Sequence, residues 1–344
     1  MTAILLVHSP FVGPGSLEPL AEVLRAKGHE AFCPDVRNAQ VWSEFAAKAV
    51  AASNDAGFVP TLVVGHSGAG AAIPAIGAAL GAQGLIFLDA ILPPENGTWA
   101  PVEPFRTRLV NMADADGMLP PWNTWWNPNM MRRLVPDEAL RGRIEGECVP
   151  VQLDLYLSGS VQPEGWSSPK SCVYIRLSNA YTDETNEAEA RGWSVTRLDG
   201  SHLDAATRPV ETANLIEASM STTRVPVGDL VSLRKRGGVT VPRNAPKVLI
   251  VAPHDAGPFA VINECVHQGA ELLAGYVSAT AGSPWIECPL HMWRYSLTSG
   301  VRLIRDEPST DPLDRITTYP CVVDRSGMIW IEVPTPSSPT TTGW

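Results

Sequence analysis

Four side chains that bind transition metals stand in two short motifs in the C-terminal third of this 344-residue chain. They are Cys265 and His267 in a C-x-H motif, and Cys288 and His291 in a C-x-x-H motif. Each motif follows a run of β-type residues, which predicts a loop at the end of a strand. Thiolate sulfur and imidazole nitrogen are transition-metal ligands, so the spacing predicts one metal centre held between two loops.

Two kinds of metal centre use two thiolates and two imidazoles. In a [2Fe-2S] cluster the thiolates bind one iron and the imidazoles bind the other, which raises the reduction potential above that of an all-thiolate cluster. A tetrahedral zinc ion accepts the same donors. The flanking residues favour the cluster: Gln268-Gly269-Ala270-Glu271-Leu272 follows the first motif, and Met292-Trp293-Arg294-Tyr295 with Gly300 follows the second.

With these flanking residues, the stretch 224–333 resembles the Rieske ferredoxin domain of ring-hydroxylating oxygenase systems. The resemblance implies a β-sandwich-like iron–sulfur domain with a [2Fe-2S] cofactor ligated by Cys265, His267, Cys288 and His291. It also implies single-electron transfer, with an oxygenase and a reductase as partner proteins. Leu290 stands where high-potential respiratory members carry an extra cysteine, which implies the lower part of the range of about −150 to +300 mV.

Two features depart from the pattern of that family. Twenty residues separate His267 from Cys288, a few more than usual, and we expect the excess in the small-residue loop 274–283. Met292 stands where the family usually has Gly, which is expected to alter the hydrogen bonding around the cluster.

A candidate nucleophile, Ser67, lies in the N-terminal half. The run Leu62-Val63-Val64-Gly65-His66-Ser67-Gly68-Ala69-Gly70 is a β run that ends in a Gly-x-Ser turn and opens a small-residue helix. Such a turn is so tight that only small residues fit around the serine, and it exposes the hydroxyl at the edge of the sheet. Ala69 replaces the second Gly of G-x-S-x-G and is small enough to fit.

A candidate base, His202, follows the last predicted strand of this half. It lies in Gly200-Ser201-His202-Leu203-Asp204, and the order Ser then His is that of α/β-hydrolases. Two aspartates are candidates for the orienting acid: Asp89, at the end of the run 84–89, and Asp183, after the run 172–177. The sequence does not decide between them, and either could instead be a helix cap or a turn residue.

Residues 1–220 resemble the α/β-hydrolase superfamily, in particular the small esterases and hydroxynitrile lyases. The resemblance implies that Ser67 attacks, that His202 takes its proton, and that the Gly68 N–H donates to the oxyanion. His8-Ser9-Pro10-Phe11-Val12-Gly13 replaces the usual His-Gly-x stretch of the oxyanion loop. Because Pro10 has no N–H, the second donor is expected from Phe11 or Val12.

The elements that must position these residues fall into two groups. Up to about Met220, apolar runs alternate with amphipathic stretches, which predicts a doubly wound parallel sheet flanked by helices. The predicted strands are 3–8, 30–33, 60–65, 84–89, 172–177 and 194–198, and the predicted helices are 17–28, 40–53, 68–81, 184–192 and 203–219. From residue 224, short β runs between Gly, Pro and Asp predict an all-β domain to residue 333, followed by a flexible tail at 334–344.

Residues 94–168 interrupt the alternation with many Pro and Trp residues, and a helical patch begins at about Asp137. An insertion of this size predicts a cap over the sheet, and the alternative is a loop region packed on the sheet edge. Five of its apolar side chains either wall an apolar or aromatic substrate pocket over Ser67 or form the core of the cap: Trp122, Trp125, Trp126, Met130 and Met131.

Composition narrows the range of partners and locations. The formal charge of −10 and the pI near 5.2 argue against a nucleic acid or an anionic membrane and favour a basic protein or a neutral small molecule as the partner. The apolar start at residues 3–7 predicts a strand and not a signal peptide, and no run approaches the ~18 apolar residues of a membrane span. We therefore expect a cytoplasmic protein. The cysteines outside the motifs are expected to be structural thiols: Cys33, Cys148, Cys172 and Cys321.

Three functions remain open from the sequence. The first is a bifunctional protein, in which the N-terminal half hydrolyses a small ester, thioester, lactone or amide and the C-terminal half delivers electrons to a separate oxygenase. The second is an electron-transfer protein with a noncatalytic hydrolase-fold scaffold, because a fold does not determine function. The third is a hydrolase whose cluster is structural or redox-sensing.

Overall fold

The polypeptide divides into two units with separate cores. One unit comprises Met1–Ala188 and Trp193–Ser219, and the other comprises Glu189–Gly192 and the chain from Met220 onward. The computed structural model describes residues 1–127, 129–167, 171–220, 222–241, 247–253, 256–278 and 284–334. In that part of the chain, no helix combines the length and the apolar character needed to cross a membrane.

Six strands form the central sheet of the N-terminal unit. They are β1 (Ala3–Val7), β2 (Glu30–Phe32), β3 (Leu62–Ser67), β4 (Gly84–Ala90), β5 (Ser171–Arg176) and β6 (Ser194–Arg197). Their order is β6-β5-β4-β3-β1-β2, and each neighbouring pair is parallel. Every residue of β4 is buried, as expected of a central strand covered on both faces. The predicted parallel sheet is thus confirmed.

Helices connect these strands and follow the last of them. They are Glu18–Ala26, Trp42–Asp55, Ile73–Ala79, Thr182–Ala190, Asp204–Thr207 and Pro209–Met220. Two predicted helices are divided in the structure. The stretch 68–81 begins with a 3₁₀ turn over Gly68–Ala71, and the stretch 203–219 is broken at Pro209, which lacks an N–H and starts a new helix.

The insertion between β4 and β5 contains secondary structure of its own. Its helices are Phe105–Met112, Asn129–Leu134, Glu138–Glu147 and Leu153–Leu157. It also contains two short antiparallel strand pairs, Thr98–Trp99 with Ser160–Val161 and Met118–Leu119 with Val151–Gln152. The helix predicted from Asp137 begins there, because the Asp137 carboxylate accepts a hydrogen bond from the Leu140 N–H at 2.7 Å.

In the described residues, the C-terminal unit contains three antiparallel sheets. The first contains Thr222–Asp229, Cys321–Val323 and Met328–Pro334, and the second contains Val239–Val241, Val248–Val251, Phe259–Ile262 and Thr318–Tyr319. The third contains Tyr276–Ser278, Trp285–Glu287, Arg294–Ser296, Arg302–Ile304 and Glu307–Pro308. The structure confirms the predicted β fold of this part of the chain.

One helix in this unit was not predicted. Leu230–Arg236 is stabilised by Asp229, whose carboxylate accepts from the Ser232 N–H at 2.8 Å, and it ends at the left-handed Gly237. Pro334, the predicted first residue of the tail, instead closes the last strand. The rest of the tail, and residues 279–283 of the predicted long loop, lie outside the described residues.

Candidate functional site

Ser67 ends β3 in a strained turn. Its φ of 58° and ψ of −125° are rare for a residue with a side chain, and they turn the hydroxyl out of the sheet. The glycines around it have no room for a Cβ atom: one on Gly65 would lie 2.5 Å from Ile73 Cγ2, and one on Gly70 would lie 2.0 Å from the Ile91 carbonyl oxygen. Ala69 is fully buried in the core. The turn therefore has the geometry of a nucleophile elbow.

His202 meets Asp89 at the carboxyl end of the sheet. Its Nδ1 lies 2.7 Å from Asp89 Oδ2, although the two residues are 113 positions apart in the sequence. Asp89 also accepts hydrogen bonds from the backbone N–H groups of Leu177 and Ser178, each at 2.9 Å, and from Ser178 Oγ at 2.7 Å. Burial by itself raises the pKa of Asp89, but the hydrogen bonds from His202 and Ser178 offset burial, and the pKa lies below its usual value.

This pairing determines the tautomer of His202. Because the ionised Asp89 carboxylate can only accept, Nδ1 carries the proton and Nε2 is left as an acceptor. Asp183, the other candidate acid, is exposed in the first turn of Thr182–Ala190. Within the described part of the chain, Asp89 is the aspartate that hydrogen-bonds His202.

Tyr181 and His66 surround His202, and neither was identified from the sequence as part of the site. The Tyr181 ring stacks on the His202 ring at 5.2 Å, and the His66 ring stacks on it at 4.6 Å. The Tyr181 hydroxyl lies 3.2 Å from Ser67 Oγ, so this tyrosine contacts both candidate catalytic residues. Burial raises the pKa of Tyr181 well above its usual value and keeps the phenol protonated.

The loop after β1 is tied to its neighbours by hydrogen bonds. His8 is fully buried, with Nδ1 2.8 Å from the Ser9 carbonyl oxygen and Nε2 accepting from the Val36 N–H at 3.1 Å. The two N–H groups expected to serve the oxyanion have other acceptors: Phe11 donates to Ser9 Oγ at 3.4 Å and Val12 donates to the Ser9 carbonyl oxygen at 3.2 Å. Pro10, between Ser9 and these donors, has no N–H of its own.

The aromatic and methionine side chains of the insertion have divided roles. The Trp122 ring lies 6.5 Å from the His202 ring, and Trp125 packs edge-on against Phe11 at 4.6 Å. Met131 is buried in a cluster that joins the insertion to Leu203 and Ala206, and Trp126 is partly exposed beneath the Arg108 guanidinium. The two tryptophans nearest the loops thus approach the site, whereas Met131 contributes to packing.

A cavity of about 200 Å³ lies between the loops after β1 and β2 and the insertion. Pro10 lines it and also lies beside Gly68, since a Cβ on Gly68 would be 3.0 Å from Pro10 Cδ. Its wall combines the amide side chains of Asn38, Gln40 and Gln152 with apolar groups such as Met118 and Leu155. None of the five side chains expected to wall a pocket lines this cavity.

The second candidate site is built on two loops of the C-terminal unit. The ligand atoms of Cys265, Cys288 and His291 lie within 4.8 Å of one another, and the His267 ring centre is 4.3 Å from that of His291. Backbone hydrogen bonds shape both loops, from Gly269 to the Cys265 carbonyl at 2.8 Å and from Met292 to the Cys288 carbonyl at 3.0 Å. The four predicted ligands are therefore brought together.

The thiols and imidazoles of this site differ in exposure. Cys265 and Cys288 are buried, His291 is half-buried and His267 is exposed. The Tyr295 hydroxyl lies 3.1 Å from Cys265 Sγ. A centre with buried sulfur ligands and outward imidazoles fits a cluster whose two irons have different ligands.

Other side chains hold the two histidines in place. The indole of Trp293 stacks on His267 at 4.5 Å, with the Arg302 guanidinium 3.3 Å from the centre of the indole ring. Nε2 of His291 lies 3.1 Å from Gln268 Oε1, which leaves Nδ1 facing the thiols. Hydrogen bonds and stacking of this kind orient metal-binding imidazoles.

Comparisons with known proteins give a domain family for the C-terminal part of the chain and a fold for the N-terminal part. Residues 223–320 match the Rieske [2Fe-2S] domain family. The methylxanthine N3-demethylase NdmB of Pseudomonas putida is 31% identical over 87 residues, which are 25% of this chain and 24% of the demethylase. The chain thus matches about a quarter of that relative. These matches confirm the [2Fe-2S] cofactor and not the zinc alternative.

The N-terminal part resembles solved α/β-hydrolases in fold. An extracellular α/β-hydrolase from a Paenibacillus species superposes with a TM-score of 0.51 and 17% identity, covering 64% of this chain and 99% of that one. The pyrethroid hydrolase PytH superposes with a TM-score of 0.50 and 17% identity, covering 64% of this chain and 98% of that one. The chain therefore combines an α/β-hydrolase fold in its N-terminal part with a Rieske [2Fe-2S] domain at residues 223–320.

Proposed function

We propose that the chain is a bifunctional protein. Its N-terminal unit hydrolyses a small-molecule ester, thioester, lactone or amide, and its Rieske domain passes single electrons to a partner oxygenase. The observation that carries the hydrolase assignment is the 2.7 Å contact of His202 with the buried Asp89, beside a serine on a nucleophile elbow. A histidine that only fills space in the core would not require a buried carboxylate partner that three further hydrogen bonds hold in place.

Hydrolysis would use these residues in turn. His202 Nε2 takes the proton of Ser67 Oγ as the oxygen attacks the substrate carbonyl carbon, and the Gly68 N–H donates to the oxyanion. The imidazolium, stabilised by Asp89, then protonates the leaving group as the carbonyl carbon loses it. Water activated by the same imidazole releases the acid and regenerates Ser67.

The substrate is expected to be a small, apolar or aromatic molecule. Trp122 near His202 and Trp125 on Phe11 offer aromatic surface to such a group. The amide side chains in the neighbouring cavity can hydrogen-bond a polar substituent of the substrate.

When bound, the cluster supplies one-electron redox chemistry at moderate potential. The chain's own residues determine where a partner can approach. His267 is exposed, and three apolar side chains near the ligands are also exposed: Val266 at 45%, Leu290 at 71% and Met292 at 75%. Apolar surface beside an exposed ligand favours close docking of a partner protein and excludes water from the path of the electron. An oxygenase as acceptor and a reductase as donor fit this surface.

Hydrolysis is tested with a fluorophosphonate probe and a panel of chromogenic esters. We expect labelling and turnover by the wild type, neither by Ser67→Ala, and far slower labelling of His202→Ala. A wild type that resists the probe while its cluster is intact would favour the noncatalytic scaffold.

Electron transfer is tested by reducing the purified protein with a ferredoxin reductase and following reoxidation by a Rieske-dependent oxygenase in a stopped-flow spectrometer. Turnover-dependent reoxidation supports delivery of electrons. A cluster that is reduced chemically but exchanges electrons with neither partner would favour a structural or redox-sensing role.

A further inference from the structure

The oxyanion site of the proposed hydrolase has too few backbone donors. A tetrahedral intermediate of acyl transfer is stabilised by two or more donors, of which the Gly68 N–H is one. The loop after β1 normally provides the other. Here Pro10 has no N–H, and the N–H groups of Phe11 and Val12 already donate to Ser9.

Two buried hydroxyl groups lie beside Gly68, whose N–H is the first donor. A Cβ atom on Gly68 would be 2.7 Å from the Tyr156 hydroxyl oxygen and 3.2 Å from Ser9 Oγ, so both oxygens lie beside the residue that follows the nucleophile. Ser9 is 2% exposed and Tyr156 is 1% exposed. Burial raises the pKa of Tyr156 well above its usual value, against an opposing contribution from the neighbouring Ser9 hydroxyl, so the phenol keeps its proton.

We propose that the hydroxyl pair of Ser9 and Tyr156 provides the second oxyanion donor. This inference rests on the proposed hydrolase function. Each hydroxyl carries one proton. Donation from one hydroxyl to the other uses only one of these two protons and leaves the second for the oxyanion, whichever of the two oxygens donates. Both groups keep their protons throughout, and only the hydrogen bond strengthens as negative charge develops on the substrate oxygen.

The position of Tyr156 makes the insertion part of the catalytic site. Tyr156 lies in the helix Leu153–Leu157, and its ring stacks on Phe11 at 4.7 Å with an interplanar angle of 6°. Trp42 packs edge-on against the same ring at 5.3 Å. These ring contacts fix the position of the phenol, as a donor that must not reorganise during the reaction requires.

The test compares Ser9→Ala, Tyr156→Phe and the double variant with the wild type. Removing one oxyanion donor costs about 10²- to 10³-fold in kcat, so we expect the double variant to lose roughly 100-fold in kcat with KM changed less than about twofold. Each single variant should lose less, because the remaining hydroxyl keeps a proton to donate. Fluorophosphonate labelling, whose adduct is also tetrahedral, should slow in the same order.

Ser53→Ala is the matched control. Ser53 is also fully buried, and its hydroxyl donates to the Phe58 carbonyl oxygen at 2.9 Å within another part of the unit. The control should keep the wild-type kcat. A double variant that reacts as fast as the wild type, or a control that loses as much, would overturn the inference alone. A wild type that neither labels nor turns over esters would overturn the hydrolase function with it.

Discussion

At the scale of single residues, two aspartates differ in the geometry that a catalytic acid needs. Asp89 is buried and hydrogen-bonded to His202, whereas Asp183 is exposed on the first turn of a helix. We expect Asp89→Asn to slow fluorophosphonate labelling by about 10⁴-fold, because an amide in that place favours the wrong imidazole tautomer. Asp183→Asn is the matched control and should label like the wild type. If Asp183→Asn instead labels far more slowly than Asp89→Asn, Asp183 is the catalytic acid.

Tyr295 is expected to tune the cluster. Its hydroxyl lies 3.1 Å from Cys265 Sγ, and a hydrogen bond to a ligand sulfur stabilises the reduced, more electron-rich cluster. If that bond contributes about 1 kcal/mol, Tyr295→Phe should lower the midpoint potential by roughly 40 mV in a one-electron titration. Tyr276→Phe, at an exposed tyrosine, should leave the potential unchanged. Equal potentials in Tyr295→Phe and the wild type would contradict the prediction.

At the scale of elements, His8 joins the loop after β1 to the loop after β2. Burial lowers its pKa to about 4, against about 6.5 in the unfolded chain. Between these values the unfolded chain binds a proton that the folded protein excludes, so stability is full above about pH 6.5 and falls as the pH drops toward 4. His66, with a pKa lowered mainly by burial to about 3, acts in the same direction.

We therefore expect His8→Gln to flatten the pH dependence of stability. Glutamine can donate and accept hydrogen bonds but does not titrate, so the variant should be less stable than the wild type at pH 7 and closer to it at pH 5. Urea unfolding of the N-terminal unit at both pH values measures the difference. If the free energies of unfolding of the variant and the wild type differ by the same amount at pH 7 and pH 5, His8 does not cause the pH dependence of stability.

Met292 strains the second cluster loop. It stands where the Rieske family usually has Gly, and its φ of 51° is left-handed. Because its side chain is 75% exposed, Met292→Gly loses little apolar contact and removes a backbone strain of about 1 kcal/mol. The thermal midpoint of cluster loss should rise by several degrees. Met292→Ala keeps the Cβ atom, so its thermal midpoint should not rise. An equal rise of the midpoint in both variants would rule out relief of backbone strain.

At the scale of the whole molecule, two separate cores predict two separate unfolding transitions. The wild type should contain about two iron and two acid-labile sulfide per chain. Cys288→Ser should lose them and destabilise the C-terminal unit, since metal binding and folding are coupled. The N-terminal unit should keep its calorimetric transition and its reaction with the probe. Loss of both transitions together would show that the units depend on each other.

The chemistry of both sites was readable from the sequence because it is local. The C-x-H and C-x-x-H motifs each place their donors within one loop, and the turn Gly65-His66-Ser67-Gly68 carries its own steric requirement for small residues. Alternating apolar runs likewise determined the parallel sheet, since each strand is a single contiguous run. The helix after Asp229 could not be recognised in this way, because its few apolar residues lie between β runs.

The packing of the folded chain decided which distant groups meet. Asp89 reaches His202 because β4 lies next to β5, whose following loop wraps the carboxylate, and no local pattern encodes that strand order. Tyr181 and Tyr156 were missed for the same reason: a tyrosine resembles a core residue until its hydroxyl is seen beside Ser67 or Gly68. The spacing of residues along the chain determines which functional groups lie together in one turn or loop. The packing of separate elements determines which distant partners orient those groups.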